Sequence, residues 1–456
     1  MDTASLARLA SGVHGTVIGP GDAAYDDARS VWNGAIDKSP AALVACAGVD
    51  DVVESLLFAR SHGLGVSVRS GGHHVAGTSV LKDGLVIDLG PMRGVSVDPV
   101  ARTVRAQGGA LIGDVDAATQ QHGLAVPLGV VSETGVAGLT LAGGYGWMRR
   151  RHGLSCDNVI GADVVTADGR LVHAGPEEHP ELFWALRGGG WDLGVVTALE
   201  YRAHPVGPNV YLPFLTFPLS EGEAVLGRLR EFSRSAPREF GCIAVCWTFP
   251  SAEPFPKELW GEDFVGVAGP YIGDPAEGER VCAELRNLGT VLTDMGSVVP
   301  WLDAQRFFDE DYPRGRRYHW KSAHLRDLDR DAAATLVELA ARRPSPLTSL
   351  DIWINGGAIA DVPSDATPIA DRTAPYMIGI ESNWDDPGQD APNVEWARST
   401  AKALKPFGTG GSYLNFDDMS DPEVARRAHG ENAERLEAVK ELYDPSGLFR
   451  SRSVAR

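Results

Sequence analysis

The stretch that decides the fold is Arg69-Ser70-Gly71-Gly72-His73-His74, which follows an alternating apolar pattern at Val66 and Val68 that is typical of a β-strand. Two more glycine-rich stretches follow, over 129–147 and 188–194. Glycine beside a strand end lets backbone N–H groups come close to an anion. The three clusters therefore predict a large anionic ligand, with simple tight turns as the alternative.

These clusters do not match the common nucleotide-binding motifs. The sequence has no GxxxxGK[ST] phosphate loop, and neither 135–138 nor 188–194 forms a GxGxxG turn followed by an acidic residue about 20 positions later. A nucleotide-like ligand would therefore sit in a fold other than the Rossmann fold. We expect no nicotinamide cofactor.

Composition and charge narrow the class of protein. The 456 residues are 43% apolar and 23% charged, which is ordinary for a globular chain of about two or three domains. The formal net charge of −19 argues against a nucleic-acid partner and against docking on anionic membranes. No apolar run reaches the roughly 20 residues of a membrane span, and the N-terminus lacks a signal-peptide pattern.

The cysteines are few, and their spacing suggests neither disulfide bonds nor a metal site. There are five, without a CxxC motif, which favours a reducing compartment and predicts a cytoplasmic location. Cys242 and Cys246 lie in an apolar run and are expected to be buried thiols. With no HExxH motif either, the sequence predicts no metal site.

Secondary-structure patterns divide the chain near Pro205. Before it, short helices and strands alternate. After it, longer strands and amphipathic helices predict an α+β region with one sheet. We expect strands over 242–249, 264–272, 350–355 and 376–384, and helices over 276–288, 331–342 and 394–404. The tail is expected to be one helix over 421–442.

Motifs along nearly the whole chain resemble those of the berberine bridge enzyme-like flavoproteins, in the vanillyl-alcohol oxidase or p-cresol methylhydroxylase-type FAD-binding superfamily. Among the members of this family, the sequence is most similar in character to bacterial ones. The motifs, besides 69–77, are Trp32-Asn33, 131–145, 187–197, 413–415 and 430–449.

The resemblance implies a fold and a domain plan. We expect an α+β protein with a p-cresol methylhydroxylase-type FAD-binding domain over 1–204. A substrate-binding domain over 205–411 would have a mostly antiparallel sheet covered by helices. The segment 412–456 would return to the FAD domain.

The resemblance also implies how FAD is held. His73 matches the residue bonded to the flavin 8α-methyl carbon, and a neutral imidazole is nucleophilic near pH 7; His74 is the alternative. Val131 stands where many relatives carry a cysteine bonded to flavin C6, so no cysteinyl bond is expected. The cofactor-binding residues are expected to be Arg69, Ser70, Gly71, Gly72, His73, His74, Gly77, Val131, Ser132, Gly135, Gly138, Leu139, Gly144, Tyr145, Gly194, Val195, Tyr413 and Asn415.

Tyr413 matches the family tyrosine that takes the substrate's proton. Asn415, two residues on, would share its strand face and help to hold that segment beside the flavin. A phenolate at neutral pH requires the tyrosine pKa to fall by about 3 units, or about 4 kcal/mol, and Lys321 is the candidate cation. The alternative is a buried tyrosine with a hydrogen-bonded hydroxyl.

Asp361 is the second candidate base. It falls on the position of a catalytic carboxylate in a segment, 356–361, that resembles one in berberine bridge enzyme. On one face of a strand it would reach the substrate side of the flavin. The alternative is that Asp361 is a solvent-exposed aspartate at the end of a strand, without a catalytic role. Trp320, Trp353 and Asn355 are candidates for the pocket lining.

The function implied is that of a covalent-FAD oxidase. It would remove a hydride from a CH–OH or CH–N group of a small, secondary-metabolite or alkaloid-like molecule, and O₂ would reoxidise the flavin to give H₂O₂. The alternatives are a flavin-dependent oxygenase of a biosynthetic pathway, such as antibiotic biosynthesis, and a resistance flavoprotein that sequesters a drug. The sequence leaves monomer and homodimer open.

Overall fold

The computed structural model describes residues 2–419, 421 and 423–450. Helices and largely antiparallel sheets are combined along the chain, which confirms the α+β class. The strands of the first half are β1 (Thr16–Ile18), β2 (Ala42–Ala45), β3 (Val66–Arg69), β4 (Leu85–Asp88), β5 (Val95–Asp98), β6 (Thr103–Gln107), β7 (Leu124–Ala125), β8 (Val159–Val165), β9 (Leu171–Ala174), β10 (Val195–Arg202) and β11 (His204–Pro205). The helices there are α1 (Thr3–Gly12), α2 (Tyr25–Arg29), α3 (Val49–Ser61), α4 (Ile112–Gln120), α5 (Val136–Leu141), α6 (Arg149–His152) and α7 (Pro180–Leu186).

The second half contains one large sheet. Its strands and those beside it are β12 (Asn209–Leu212), β13 (Phe214–Pro218), β14 (Ile243–Thr248), β15 (Asp263–Ala268), β16 (Thr293–Asp294), β17 (Ser297–Pro300), β18 (Arg317–Leu325), β19 (Ser349–Ile354) and β20 (Tyr376–Trp384). The helices are α8 (Gly222–Ser235), α9 (Pro275–Cys282), α10 (Trp301–Gln305), α11 (Arg330–Ala340), α12 (Ala358–Asp361), α13 (Asp390–Leu404), α14 (Val424–His429) and α15 (Ala433–Tyr443).

Two sheets make up the first half. The four-stranded sheet has the order β1-β2-β4-β3, and its β2, β4 and β3 are parallel because a helix or a long loop connects them. The five-stranded sheet has the order β5-β6-β10-β8-β9 and is antiparallel throughout. The loop that contains His73 leaves the end of β3, at the edge of the first sheet.

The large sheet has the order β16-β13-β15-β14-β19-β20-β18 and is antiparallel throughout. Side chains alternate between its two faces. One face, with Leu350, Ile352, Ile378 and Ile380, packs in one core with helices α8, α11 and α13. The other face carries Trp320 and Trp353, which belong to a separate cluster that also contains Trp32 and Tyr413.

The C-terminal segment pairs with the first sheet. The Val66 amide donates to the Leu448 carbonyl at 2.9 Å, and the Arg450 amide donates to the Val66 carbonyl at 3.0 Å. The chain therefore returns to the start of the strand that leads into the His73 loop.

The expected tail helix is interrupted. Two helices, α14 and α15, replace it, and Gly430 between them has φ +49°, outside the right-handed helical region. Pro422, within the predicted span, lies outside the described residues. The helix expected over 276–288 ends at Cys282 and continues as a 3₁₀ turn over Ala283–Asn287. Over the described residues, no helix is both long and apolar enough to cross a bilayer.

Candidate active site

One cavity lies where the first sheet, the large sheet and the C-terminal segment meet. Two sides of the cavity differ in how they are built, and we call them the loop wall and the sheet wall. The loop wall consists of residues 70–74 and the cavity-lining residues of 129–139. The sheet wall consists of the cavity-lining residues Trp320, Asp351, Trp353 and Glu381 of strands β18, β19 and β20. Between the two walls, the cavity is also lined by Tyr145, Trp191, Phe308, Tyr312, Tyr413, Asn415 and Phe416.

Two glycines allow the two segments of the loop wall to touch. A Cβ atom on Gly71 would lie 2.4 Å from the Gly135 backbone nitrogen, and a Cβ on Gly135 would lie 2.2 Å from that of Gly71. No side chain fits at either position, because a Cβ atom and a backbone nitrogen cannot approach so closely. The hydroxyl oxygen of Ser70 is buried beside this contact without a hydrogen-bond partner.

His73 presents a ring nitrogen without a partner. Its imidazole stacks on Trp32 at 4.1 Å between ring centroids, and Trp32 stacks in turn on Tyr318 at 3.7 Å. Its Nε2 is buried and makes no hydrogen bond. Burial, helped by the charge of Arg314, lowers the pKa of His73 to about 3. The ring is therefore neutral at pH 7 and keeps a lone pair.

His74 differs from its neighbour because both of its ring nitrogens are used. Nδ1 accepts a hydrogen bond from the Ala76 amide at 3.1 Å. Nε2 lies 3.1 Å from the Leu414 carbonyl oxygen, and since that oxygen can only accept, Nε2 carries the proton. The ring of His74 therefore has no free lone pair for a covalent bond.

Two carboxyl groups lie together on the sheet wall. In the register of β19 and β20, Asp351 pairs with Gly379 and Ser349 pairs with Glu381, so Asp351 and Glu381 are diagonal neighbours on one face. They are 3% and 2% exposed. Gly379 leaves room for them, because a Cβ there would lie 2.8 Å from Glu381 Oε1 and 3.3 Å from Asp351 Cβ.

The protonation of this pair follows from its burial. Burial raises the pKa of Asp351, and burial together with the adjacent Asp351 raises the pKa of Glu381. The Tyr312 hydroxyl donates to Glu381 Oε2 at 2.7 Å, while Asp351 Oδ1 has no partner. Two buried carboxyl groups in contact cannot both be ionised cheaply, so the pair holds a proton at neutral pH.

Tyr413 and Asn415 are brought together as the sequence predicts, although in a 3₁₀ turn at Leu414–Phe416 rather than on a strand. The Tyr413 hydroxyl oxygen accepts from Asn415 Nδ2 at 2.9 Å and from the Tyr145 amide at 3.2 Å. Burial nevertheless raises the pKa of Tyr413 to about 12. The phenol is therefore neutral at pH 7, in line with the alternative of a hydrogen-bonded buried tyrosine.

Lys321 does not supply the cation that a phenolate would need. It lies between Trp320 and Ser322 on β18, so its side chain leaves the opposite face of the sheet. Its ammonium forms ion pairs with Asp417, at 3.3 Å, and with Asp418. The role expected for Lys321 beside Tyr413 was wrong for this reason.

The strand placement expected for Asp361 was also wrong. Strand β19 ends at Ile354, and Asp361 lies at the end of the short helix α12. Its carboxylate is more than half exposed and pairs with Arg238, whose Nη2 donates to Oδ1 at 3.1 Å. Asp361 does not line the cavity, which fits the alternative reading of a solvated aspartate.

The expected cofactor residues separate into two groups. Those that line the cavity are Ser70, Gly71, Gly72, His73, His74, Val131, Gly135, Gly138, Leu139, Tyr145, Tyr413 and Asn415. Those that do not are Arg69, Gly77, Ser132, Gly144, Gly194 and Val195. Of the proposed lining residues, Trp320 and Trp353 reach the cavity and Asn355 does not.

The outlying residues hold the loops in place. The Arg69 guanidinium pairs with Asp88 at 2.7 Å. The Ser132 amide donates to Asp309 Oδ1 at 2.7 Å, which ties the loop wall to a segment of the second half. Gly77 has φ +59°, and a Cβ there would lie 2.6 Å from Ile36 Cγ2. These contacts set the shape of the loops, and Ser132 also has a buried hydroxyl without a protein partner.

No thiol reaches the cavity. All five cysteines are buried and free, and none lines the cavity. Val131, at the position where a second flavin bond was considered, lines the cavity together with Val130. Across the described residues, no group of three or more His, Cys, Asp or Glu side chains is arranged to hold a metal ion.

Sequence and structure comparisons place these features in a known class. An FAD binding domain model matches residues 40–175, and a berberine and berberine-like model matches residues 412–453. The (R)-6-hydroxynicotine oxidase of Paenarthrobacter nicotinovorans is 30% identical over 96% of this chain and 96% of its own length.

Solved structures agree with this assignment. The 6-hydroxy-D-nicotine oxidase of Arthrobacter nicotinovorans superposes with a TM-score of 0.86 at 26% identity, over 96% of this chain and 97% of that one. The glucooligosaccharide oxidase of Acremonium strictum, described as carrying a 6-S-cysteinyl, 8α-N1-histidyl FAD, gives 0.86 at 22% identity over 98% and 97%. The chain therefore belongs to the berberine bridge enzyme-like family and is an FAD-linked oxidoreductase with the p-cresol methylhydroxylase-type fold.

The residues of the loop wall fit FAD. The glycine contact brings backbone amides to the cavity, and Ser70 and His73 each have a buried polar atom without a protein partner. Orphaned buried polar groups of this kind are costly unless a ligand satisfies them. Residues 70–74 together with Gly135, Gly138 and Leu139 would hold the cofactor.

The sequence analysis missed the carboxyl pair and Tyr312. A signal was present, because Asp351 and Glu381 are each the single carboxylate of an otherwise mostly apolar strand, in Ser349–Ile354 and Tyr376–Trp384. A carboxylate at such a position is expensive unless it has a function or a partner. Nothing in the sequence indicates that Asp351 and Glu381, which belong to separate strands, lie side by side.

Proposed function

We propose that the protein is an oxidase whose FAD is bonded to His73 alone and whose substrate lies between the loop wall and the sheet wall. Bound FAD would take a hydride from a CH–OH or CH–N carbon and pass both electrons to O₂ as H₂O₂. The observation that carries the proposal is a single cavity with an unpartnered histidine nitrogen on one side and a buried carboxyl pair on the other.

Support for attachment at His73 comes from the contrast with His74. The His73 ring is neutral, flat against Trp32 and free at Nε2, whereas both nitrogens of His74 are hydrogen-bonded. The absence of a cysteine from the cavity lining supports a single bond. The division of the chain at 204 and 411 remains part of this proposal.

The carboxyl pair is assigned the proton. Loss of a hydride from carbon leaves a cation unless the substrate's O–H or N–H proton leaves too. The oxygens of Asp351 and Glu381 face the cavity, and burial raises the pKa of Asp351 to about 7, where a general base works best. Burial and the adjacent Asp351 raise the pKa of Glu381 as well. The neutral Tyr413 phenol would orient the reacting oxygen or nitrogen through a hydrogen bond.

The aromatic side chains keep water away from this step. Trp320 packs against Phe416 at 5.0 Å and Tyr312 at 5.6 Å between ring centroids, and all three line the cavity. In such a dry site the hydrogen bonds and charges of the carboxyl pair act more strongly than in water.

The test is anaerobic mixing of the purified flavoprotein with a panel of benzylic alcohols and cyclic amines, followed by absorbance. Bleaching of the flavin by a panel member, and one H₂O₂ per flavin when air is readmitted, is the expected result. Oxygen consumption without H₂O₂ would favour the oxygenase. Tight binding without bleaching would favour the drug-sequestering protein. Either outcome would contradict the oxidase.

A further inference from the structure

We propose that the sheet wall is a recognition site for an organic ammonium group, so that the substrate is a cationic amine rather than a neutral alcohol. The inference rests on the proposed function, because it assigns the substrate class of the same cavity. The inference is drawn from the side chains that form the sheet wall and from the charged groups around them.

The first observation is an uncompensated acidic pair. Asp351 and Glu381 line the cavity and are almost completely buried. Among the described residues, neither forms an ion pair with a Lys, Arg or His side chain of the chain itself. The neutral Tyr312 hydroxyl donates to Glu381 alone, Asp351 and Glu381 contact each other, and Asp351 Oδ1 has no partner. Buried carboxylates are usually paired with a cation, so a ligand can provide one.

The second observation is the aromatic surround of the pair. Tyr312, Trp320, Trp353 and Phe416 line the same part of the cavity as the two carboxyl groups. Aromatic rings attract organic cations through their faces, and rings together with a carboxylate form the usual recognition surface for ammonium groups. A neutral alcohol would gain hydrogen bonds from the pair but nothing from the ring quadrupoles.

The nearby cation of the chain does not neutralise the pair. The Arg149 guanidinium lies over the Trp353 ring at 4.9 Å from its centroid. It donates to the Gly146 and Ile354 carbonyls, at 3.1 Å and 2.8 Å, and to that of Cys242. It is not part of the cavity lining, so the negative charge of the pair remains directed at the ligand.

Contact between the carboxyl pair and an ammonium group would also allow the proton transfer that must precede hydride loss. A protonated amine cannot lose a hydride from the adjacent carbon, because its nitrogen has no lone pair to stabilise the product. The ammonium N–H bond would break and an O–H bond would form on Asp351 or Glu381, which frees the lone pair. The hydride would then leave the carbon for bound FAD with its two electrons, and an iminium ion would remain.

The test uses two probes that cannot react in this way. Benzyltrimethylammonium has a permanent charge and no N–H, and benzyl methyl ether is a neutral analogue of similar size. Each is titrated into the flavoprotein at pH 8, and binding is followed by flavin absorbance and by the fluorescence of the tryptophans that line the cavity. We expect the cation to bind at least tenfold more tightly, and its preference to shrink at pH 5, where the pair gains protons.

Variants identify the site. Asp351→Asn/Glu381→Gln should abolish the preference, and the single substitutions should reduce it. Asp361→Asn, which removes an exposed carboxylate outside the cavity, should leave it unchanged. Equal affinity of the two probes for the wild-type protein would overturn the proposal, and so would a preference that survives the double substitution. The wild-type comparison decides even if a variant does not fold.

The outcome is separable from that of the proposed function. A flavoprotein that is bleached by alcohols and returns H₂O₂, but that does not prefer the cation, would refute the ammonium site and keep the oxidase. A protein without covalent flavin that still prefers the cation, measured by tryptophan fluorescence, would refute the oxidase proposal and keep the site.

Discussion

The loop wall is built from short contiguous segments, whereas the sheet wall is built from alternate residues of three strands. In the loop wall, backbone contact between Gly71 and Gly135 sets the geometry, and few residue types are possible. In the sheet wall, geometry comes from strand register, and each position can hold any side chain that suits a ligand. Under the proposed function, the loop wall would bind the cofactor that the family shares, and the sheet wall would vary with the substrate.

The largest effect is expected on the loop wall. His73→Ala should abolish covalent attachment, so that acid precipitation releases the FAD, while non-covalent binding persists through the glycine segments. His74→Asn is the matched control and should keep the flavin on the protein, because His74 has no free nitrogen to offer. Flavin on a peptide containing His74 or a cysteine would contradict this assignment.

The next effect is expected on the sheet wall. Glu381→Gln and Asp351→Asn remove a proton acceptor without a change in size, and flavin reduction should slow by about 10²–10⁴. Attachment at His73 should be unaffected, which separates the two walls. Asp361→Asn is the control, and stopped-flow rates close to wild type are expected for it. Slowing by Asp361→Asn alone would restore the expectation drawn from sequence.

Two glycine-to-alanine substitutions separate the walls a second way. Gly71→Ala places a Cβ against backbone and should lower the free energy of unfolding by about 1–3 kcal/mol and impair FAD loading. Gly379→Ala places a Cβ against the movable Glu381 carboxylate and should slow flavin reduction while FAD loading stays normal. Gly227→Ala, in helix α8 with nothing near the new Cβ, should stabilise slightly. Thermal melts and flavin content decide; identical losses of FAD in the first two would refute the distinction.

The smallest effect is expected for Tyr413→Phe. If the neutral phenol only orients the substrate, the lost hydrogen bond is worth about 1 kcal/mol, or roughly five- to tenfold in flavin reduction. Asn415 and the Tyr145 amide would then lose an acceptor, so a small shift in the flavin spectrum is expected as well. A loss of a thousandfold or more with an unchanged spectrum would show that Tyr413 is the base.

Sequence was a good guide to the loop wall for a physical reason. Gly71 and Gly135 are constrained by their mutual backbone contact, and such a constraint leaves a local pattern. His73 and Tyr413 with Asn415 were predicted because each lies within a short motif, and all three line the cavity. The class of fold, α+β with one large antiparallel sheet, was also predicted and is confirmed.

The sheet wall could not be read in the same way. Asp361 was favoured because its segment resembles one in berberine bridge enzyme and a strand face would direct it to the flavin, yet β19 ends at Ile354 and the chain turns into α12. Lys321 was favoured without regard to alternation, which directs it away from Trp320. Asp351 and Glu381 come together through the register of β19 and β20, a relation between distant segments that no local motif encodes.

The pH profile of flavin reduction at saturating substrate tests the assignment of the proton to the carboxyl pair most directly. The titratable groups that interact with the pair include Tyr312, Asp311, Cys246 and Tyr318. Tyr413 lines the same cavity, and the carboxyl and Tyr413 variants separate its contribution from that of the pair. Because burial raises the pKa of Asp351 and of Glu381, the wild-type rate should fall as the pH drops through that raised pKa, when the acceptor becomes protonated. The fall should flatten in Asp351→Asn and Glu381→Gln and persist in Tyr413→Phe. A profile that instead depends on a basic ionisation, lost in Tyr413→Phe and kept in both carboxyl variants, would contradict the account.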